Sequence, residues 1–181
     1  MNFCQNHKKE VTKGGENMDE KCIKAGDYAS DFVLMDHKNQ EFRLSDFKGK
    51  RRVLLSFHPL AWTSVCAQQM QSLDKHREDF RKLNTIAVGI NVDSVPSKKA
   101  WADFIGVQST RLLSDFWPHG DIAKMYGIFR EKEGFSERAN IIINEEGKIE
   151  FVRVYEIGEL PDIKEILTFL RNLNEKDIVQ P

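Results

Sequence analysis

Residues 57–70 read FHPLAWTSVCAQQM, with a proline, a threonine and a cysteine following an apolar run and Thr63 three residues ahead of Cys66. Cysteine is a nucleophile as thiolate, so the chemistry on offer is attack by sulfur on an electrophile. If a helix starts here, Cys66 lies in its first turn, where unpaired backbone N–H groups and the positive end of the helix dipole favour an anion. One helical turn also brings the Thr63 hydroxyl near the sulfur, where it could donate to one oxygen and accept from another. Pro59 ends the strand and can wall a pocket without presenting a backbone donor. A plainer reading makes Thr63 a helix cap, Pro59 an ordinary loop residue and Cys66 a buried space-filler. Spacing alone leaves both open.

Magnitudes say what else the reactive reading requires. A free cysteine has a pKa of about 8.5 and is about 3% ionised at pH 7. Moving it to about 6 takes roughly 3.4 kcal/mol, whereas an exposed helix terminus supplies about 0.3 to 1 kcal/mol. Another cation or strong donor is needed, and Arg138, opening the segment RANIIIN, is placed to reach the same sheet edge. Even full ionisation multiplies the reactive population only about thirtyfold. A fast thiol enzyme must therefore also stabilise its transition state.

The elements that must position these residues follow from hydrophobic period. Residues 29–35 and 41–47 alternate around a turn-like DHKNQ, which predicts a hairpin. The run RVLLSF at 52–57 predicts a strand buried on both faces. Cys66, Met70, Leu73, Phe80 and Leu83 recur at helical spacing, interrupted by Arg77. Strands are expected over 85–92 and 110–113, and helices over 97–105 and 121–126. RANIIIN and IEFVRVYE flank a Glu-Glu-Gly turn, a second hairpin. Ile163, Ile166, Leu167, Leu170 and Leu173 form an amphipathic closing helix after Pro161. Helices that follow buried strands predict a three-layer α/β domain with a central mixed β-sheet flanked by helices, the pattern of the thioredoxin fold.

The totals bound the partners. At 181 residues the chain fits one domain, read as 21–174, with a polar tail over 1–20 and a C-terminal tail over 175–181. A net charge of −1 gives no reason to propose nucleic acid or a membrane surface; the basic cluster Lys48, Lys50, Arg51, Arg52 reads as a solvated strand entry. Three cysteines, Cys4, Cys22 and Cys66, form neither a C-x-x-C pair nor a zinc spacing. That pattern, with no apolar leader in the first residues, predicts a reducing cytoplasmic setting.

PLAWTSVC resembles the Pro-x-x-x-Thr-x-x-Cys signature of the peroxiredoxins, of the alkyl hydroperoxide reductase/thiol-specific antioxidant type. The likeness continues through SDFWPHGDIAKMYGIF and GFSERANIIINEEGKI and covers residues 22 to 173. The FWPHG stretch is most similar to the single-cysteine, E-type branch. The resemblance implies a thioredoxin-like fold with an N-terminal β-hairpin extension and a thiol-dependent peroxidase acting on hydrogen peroxide or organic hydroperoxides. It implies that Cys66 is the nucleophile, becoming a sulfenic acid, that Thr63 and Arg138 bind the peroxide, and that Pro59 screens the oxidised sulfur. It requires no metal, haem or flavin, and it points to a homodimer.

The chain departs from the family's pattern at several positions. Gln69 stands where many relatives have glutamate, which leaves the orientation of Arg138 in question. Ser30 replaces a common proline, and Gln71 occupies the place of one subgroup's resolving cysteine. No cysteine follows Cys66, so an external thiol, small or of the thioredoxin or glutaredoxin kind, is expected as reductant unless Cys4 or Cys22 reaches the site. Two rivals are a peroxide-sensing redox switch, which would use the same sulfur, and a thioredoxin-like thiol-disulfide oxidoreductase, which would need a second cysteine where Ser64 and Val65 offer none. His58 raises a Cys–His pair, though a structural role is expected for it. His76 is too far along the helix, and His119 is expected to shape a loop or dimer contact. Trp62, Phe116 and Trp117 could line a pocket or an interface, with core packing the default expectation.

Overall fold

Two runs of six residues, Arg52–Phe57 and Arg138–Ile143, are buried at every position, which demands cover on both faces of a sheet. The computed structural model describes residues 23–179. In chain order the strands and helices are β1 (Val33–Asp36), β2 (Glu41–Arg43), β3 (Arg52–Phe57), α1 (Ser64–Lys75), α2 (Arg77–Lys82), β4 (Thr85–Asn91), α3 (Val95–Ile105) and β5 (Arg111–Ser114). They continue with α4 (Asp121–Met125), β6 (Phe129–Arg130), β7 (Phe135–Ser136), β8 (Arg138–Ile143), β9 (Ile149–Tyr155) and α5 (Ile163–Val179). One seven-stranded mixed sheet runs β2-β1-β5-β4-β3-β8-β9. β3, β4 and β5 are parallel, and β8 lies antiparallel to β3.

Alternation along β3 divides the core in two. Val53, Leu55 and Phe57 pack with Phe42, Ile122 and Tyr126 on one face. Leu54 packs with Cys66, Met70, Trp101 and Ile166 on the other. Helices therefore cover both faces, and the expected three-layer thioredoxin-like arrangement with its N-terminal hairpin is what forms. α1 approaches β4 closely at Gly89, where an added Cβ would lie 2.2 Å from the Met70 sulfur.

The differences from the sequence reading are local. The helical stripe from Cys66 to Leu83 is two helices, because His76 leaves helical geometry at φ −97°, ψ 16° and its ring Nδ1 takes up the Ser72 carbonyl at 2.9 Å. The second strand of the first hairpin stops at Arg43, and Leu44–Phe47 close into a 3₁₀ turn. The ribbon of β6 and β7 has two residues per strand, too few for a period to register. α5 runs from Ile163 to Val179.

Asp74, near the end of α1, clamps that helix to the start of β5 by accepting the backbone N–H groups of Thr110 (2.7 Å), Ser109 (2.8 Å) and Gln108 (3.2 Å). Burial alone would raise its pKa, but those donors outweigh burial and hold it below the ordinary carboxylate value. A depressed carboxylate stabilises the fold above its unfolded pKa, and the stabilisation is lost as pH falls through its folded value. Asp74→Asn is expected to lower stability by about 1–3 kcal/mol at pH 7, and the difference from wild type should shrink as pH drops below about 4. Denaturant titrations at both pH values check this; a difference that persists in acid refutes it.

Candidate active site

At the carboxyl end of β3 the chain must leave the sheet, and Pro59, buried and without an N–H, marks the exit. Three contacts hold the loop that follows. The Ala61 N–H donates to Asp93 Oδ2 at 2.7 Å. Trp62 takes a left-handed backbone (φ 64°), a conformation that is costly for a bulky residue. Its indole N–H donates to Ser97 Oγ at 3.3 Å, and its ring packs at 5.5 Å on Phe104 of α3. Thr63 then occupies the N-cap position of α1 with extended geometry. Its hydroxyl does not cap the helix; it donates to the Leu60 carbonyl at 3.0 Å, which leaves the oxygen's lone pairs able to accept.

Cys66 is the third residue of α1 and is completely buried. It is not sealed in hydrocarbon. Arg138, the first residue of β8 and 2% exposed, donates from Nη2 to the sulfur at 3.5 Å. The same guanidinium is anchored on its other donors: Nη2 and Nε reach the Ile157 carbonyl at 2.7 and 3.1 Å, and Nη1 donates to Gln69 Oε1. Gln69 answers the question its substitution raised. Its amide nitrogen donates to Ser56 Oγ (2.8 Å) and to the Phe57 carbonyl (3.3 Å), and Ser56 in turn donates to Asn140 Oδ1 at 2.8 Å. Because a carbonyl only accepts, the NH₂ must face Phe57, and the amide oxygen is thereby turned to Arg138. A neutral side chain fixes the guanidinium without cancelling its charge.

The structure thus joins Cys66 and Arg138 by direct contact, and places Thr63 and Pro59 on the segment that leads into Cys66. It does not make a Cys–His pair. His58 is fully buried, with no hydrogen-bond partner on either ring nitrogen among the described residues, and its ring lies tilted against Trp101 at 5.3 Å. Burial first, then the charges of Lys98 and Arg138, push its pKa well below the ordinary histidine value, which favours the neutral ring. His119 shapes a loop, its Nε2 lying 2.7 Å from the Gly134 carbonyl. One expectation is overturned: Trp62, Phe116 and Trp117 are not core residues but are 54%, 52% and 81% exposed, because each sits on a loop leaving the sheet's carboxyl edge. Cys4 and Cys22 lie outside the described residues. Sequence reasoning missed Asp93, Ser56, Asn140, the Ile157 carbonyl and Lys98. No motif marks them, since each acts through partners distant in the chain.

Residues 25–152 match the model of the AhpC/TSA family. The chain is 36% identical over 140 residues to alkyl hydroperoxide reductase E of Mycobacterium tuberculosis, covering 77% of this chain and 91% of that protein. It is 33% identical over 159 residues to the chloroplastic 2-Cys peroxiredoxin BAS1 of Hordeum vulgare, covering 83% and 73% of the two chains. The crystal structure of reduced Plasmodium vivax 2-Cys peroxiredoxin superposes with a TM-score of 0.79 at 29% identity, over 84% of this chain and 83% of that one.

Gln69→Leu keeps the volume and removes both hydrogen-bonding functions, leaving a buried guanidinium N–H and the Phe57 carbonyl without that partner. The expected loss is about 1–3 kcal/mol of stability, measured by chemical denaturation; a variant as stable as wild type would show that the network holds nothing.

Proposed function

The chain belongs to the AhpC/TSA family and is a thiol-dependent peroxidase, and from that premise we propose that Cys66 is the sulfur that meets the peroxide. The observation that carries this reading is the Arg138 guanidinium 3.5 Å from a buried Cys66 sulfur at the start of a helix. The substrate is a peroxide and the reductant a thiol. In the proposed reaction the thiolate attacks the terminal peroxide oxygen, an S–O bond forms as the O–O bond breaks, and the departing oxygen takes a proton to leave as water or an alcohol. Cys66 becomes a sulfenic acid. One external thiol condenses with it, releasing water and forming a mixed disulfide. A second thiol frees Cys66 and carries away the disulfide.

Roles for the neighbours follow from their donors. Arg138 offers N–H groups to the oxygens on which charge develops. Thr63, whose proton is directed to Leu60, accepts from the peroxide O–H. Pro59 brings no competing donor and limits water at the oxidised sulfur. The thiol comes from outside the chain, as a small molecule or a thioredoxin- or glutaredoxin-type protein, because no cysteine follows Cys66. The odd cysteine count without a paired spacing supports a reducing, cytoplasmic setting; among the described residues no helix is long and apolar enough to cross a membrane.

A homodimer is part of the proposal. Leu60, Trp62, Phe116 and Trp117 are exposed on the loops that follow the parallel strands, with the exposed Phe104 ring tilted against Trp62. An apolar surface of this kind marks an association site. Sedimentation of a monomer at micromolar concentration would remove that part.

Cys66→Ser is expected to abolish peroxide consumption in stopped-flow assays. Arg138→Ala should slow oxidation of the sulfur by about 10- to 100-fold, the worth of a hydrogen bond from a charged donor. Wild-type rates in either variant would overturn the role given to that residue. Mass spectrometry after one equivalent of peroxide should find a sulfenic acid on Cys66; a Cys66–Cys22 or Cys66–Cys4 disulfide would replace the external thiol with an internal one.

A further inference from the structure

The sheet face that α1 and α5 cover is largely apolar: Leu54 of β3, Ile142 of β8, and Ile166 and Leu170 of α5 pack there with Cys66. Ser56, next but one after Leu54, and Asn140, next but one before Ile142, point to that same face. Both are buried, as are Gln69 above them and Tyr155 at the end of β9. Burying polar groups costs free energy unless each finds a partner, and packing gives no reason for them, since apolar side chains would fill the same space. Their hydrogen bonds supply one.

Five bonds run in succession from Arg138: its Nη1 donates to Gln69 Oε1, Gln69 Nε2 to Ser56 Oγ, Ser56 to Asn140 Oδ1, Asn140 Nδ2 to the Tyr155 hydroxyl, and Tyr155 to Glu165 Oε2. The last four lengths are 2.8, 2.8, 3.4 and 3.2 Å. The two ends fix the direction, because a guanidinium only donates and a carboxylate only accepts. Every donor between them therefore points from Arg138 toward Glu165, and each amide and hydroxyl can comply. Burial, foremost, raises the Tyr155 pKa above its ordinary value, so the phenol keeps the proton it donates. Glu165 lies in the first turn of α5, is partly exposed and pairs with Arg153 of β9. One end of the chain of bonds thus touches the buried sulfur's partner and the other reaches the surface.

Hydrogen bonds aligned in one direction polarise one another. The pull of Glu165 on the Tyr155 proton is passed along to the Gln69 carbonyl, which holds Nη1 of Arg138. A guanidinium is planar, so fixing Nη1 there and Nε at the Ile157 carbonyl aims Nη2 at the sulfur, 3.5 Å away. We propose that Tyr155 and Glu165 are positioning residues for Arg138, acting on the reacting sulfur through Asn140, Ser56 and Gln69. The carboxylate serves the guanidinium from the far end of the chain of bonds, where it does not offset the positive charge beside Cys66. This rests on Cys66 being the sulfur that peroxide oxidises and on Arg138 assisting it.

The test is a double-mutant cycle in the full chain, read as the rate of Cys66 sulfenic acid formation with hydrogen peroxide in stopped flow. Tyr155→Phe should slow that rate about threefold, near the lower end of what one neutral hydrogen bond is worth. Glu165→Ala, which touches only the partly exposed end and serves in its place should Tyr155→Phe not fold, should slow it by a similar factor. In a Ser56→Ala background, where the chain of bonds is already cut, either substitution should change the rate by less than about 1.5-fold. A packing role alone would slow both backgrounds equally, and that result overturns the proposal, as does a wild-type rate in either folded single variant. Arg138→Ala in the same assay separates the two levels. If it slows oxidation and Tyr155→Phe and Glu165→Ala do not, the site stands and the positioning roles fall; a wild-type rate in Arg138→Ala removes the site as drawn and the positioning roles with it.

Discussion

A guanidinium kept in the interior against a sulfur is the constraint to which the rest of this molecule answers. Taking a charged group out of water costs several kcal/mol unless its donors are met. Arg138 meets them with the Ile157 carbonyl and the Gln69 amide. Both accept hydrogen bonds without a full negative charge, so the guanidinium is held in place yet not neutralised, and its field stays available to Cys66. A carboxylate in the place of Gln69 would grip harder and offset more of that field.

The sheet register makes this contact possible. β8 runs antiparallel to β3 with Phe57 opposite Ala139, so Arg138 comes level with His58, where the chain turns toward Cys66. Residues 72 apart in sequence thus meet at one edge. A slip of one residue would send the Arg138 side chain to the other face. The hydrogen bonds from Gln69 through Ser56 to Asn140 tie α1, β3 and β8 together and oppose such a slip.

Features that cost stability gather at the same end of the molecule. Trp62 has a left-handed backbone, His58 and Lys98 are buried without hydrogen-bond partners among the described residues, and several aromatics lie exposed. Elsewhere local preference and global fold agree, as in the alternating residues of β3 and the Asp74 clamp. Natural sequences break local rules mainly where chemistry or binding is done. Several of these exceptions lie on segments that follow the carboxyl ends of β3, β4 and β5, the edge at which the chain turns into the helix carrying Cys66.

The chain's own pattern determined the layered α/β class, both buried central strands, the closing helix and the place of Cys66 in a first helical turn. These depend on period and short-range spacing, which the order of residues carries directly. Spacing raised Thr63, Pro59 and Arg138 as candidates, and the resemblance in PLAWTSVC and RANIIIN gave them roles. The break at His76, the exposure of Trp62, Phe116 and Trp117, the turning of Gln69 to Arg138 and the burial of Lys98 were decided only by the tertiary structure. Each depends on which side chains from distant segments arrive at the same place. A hydrogen bond or a desolvated charge is a property of that meeting, and no period in the sequence encodes it.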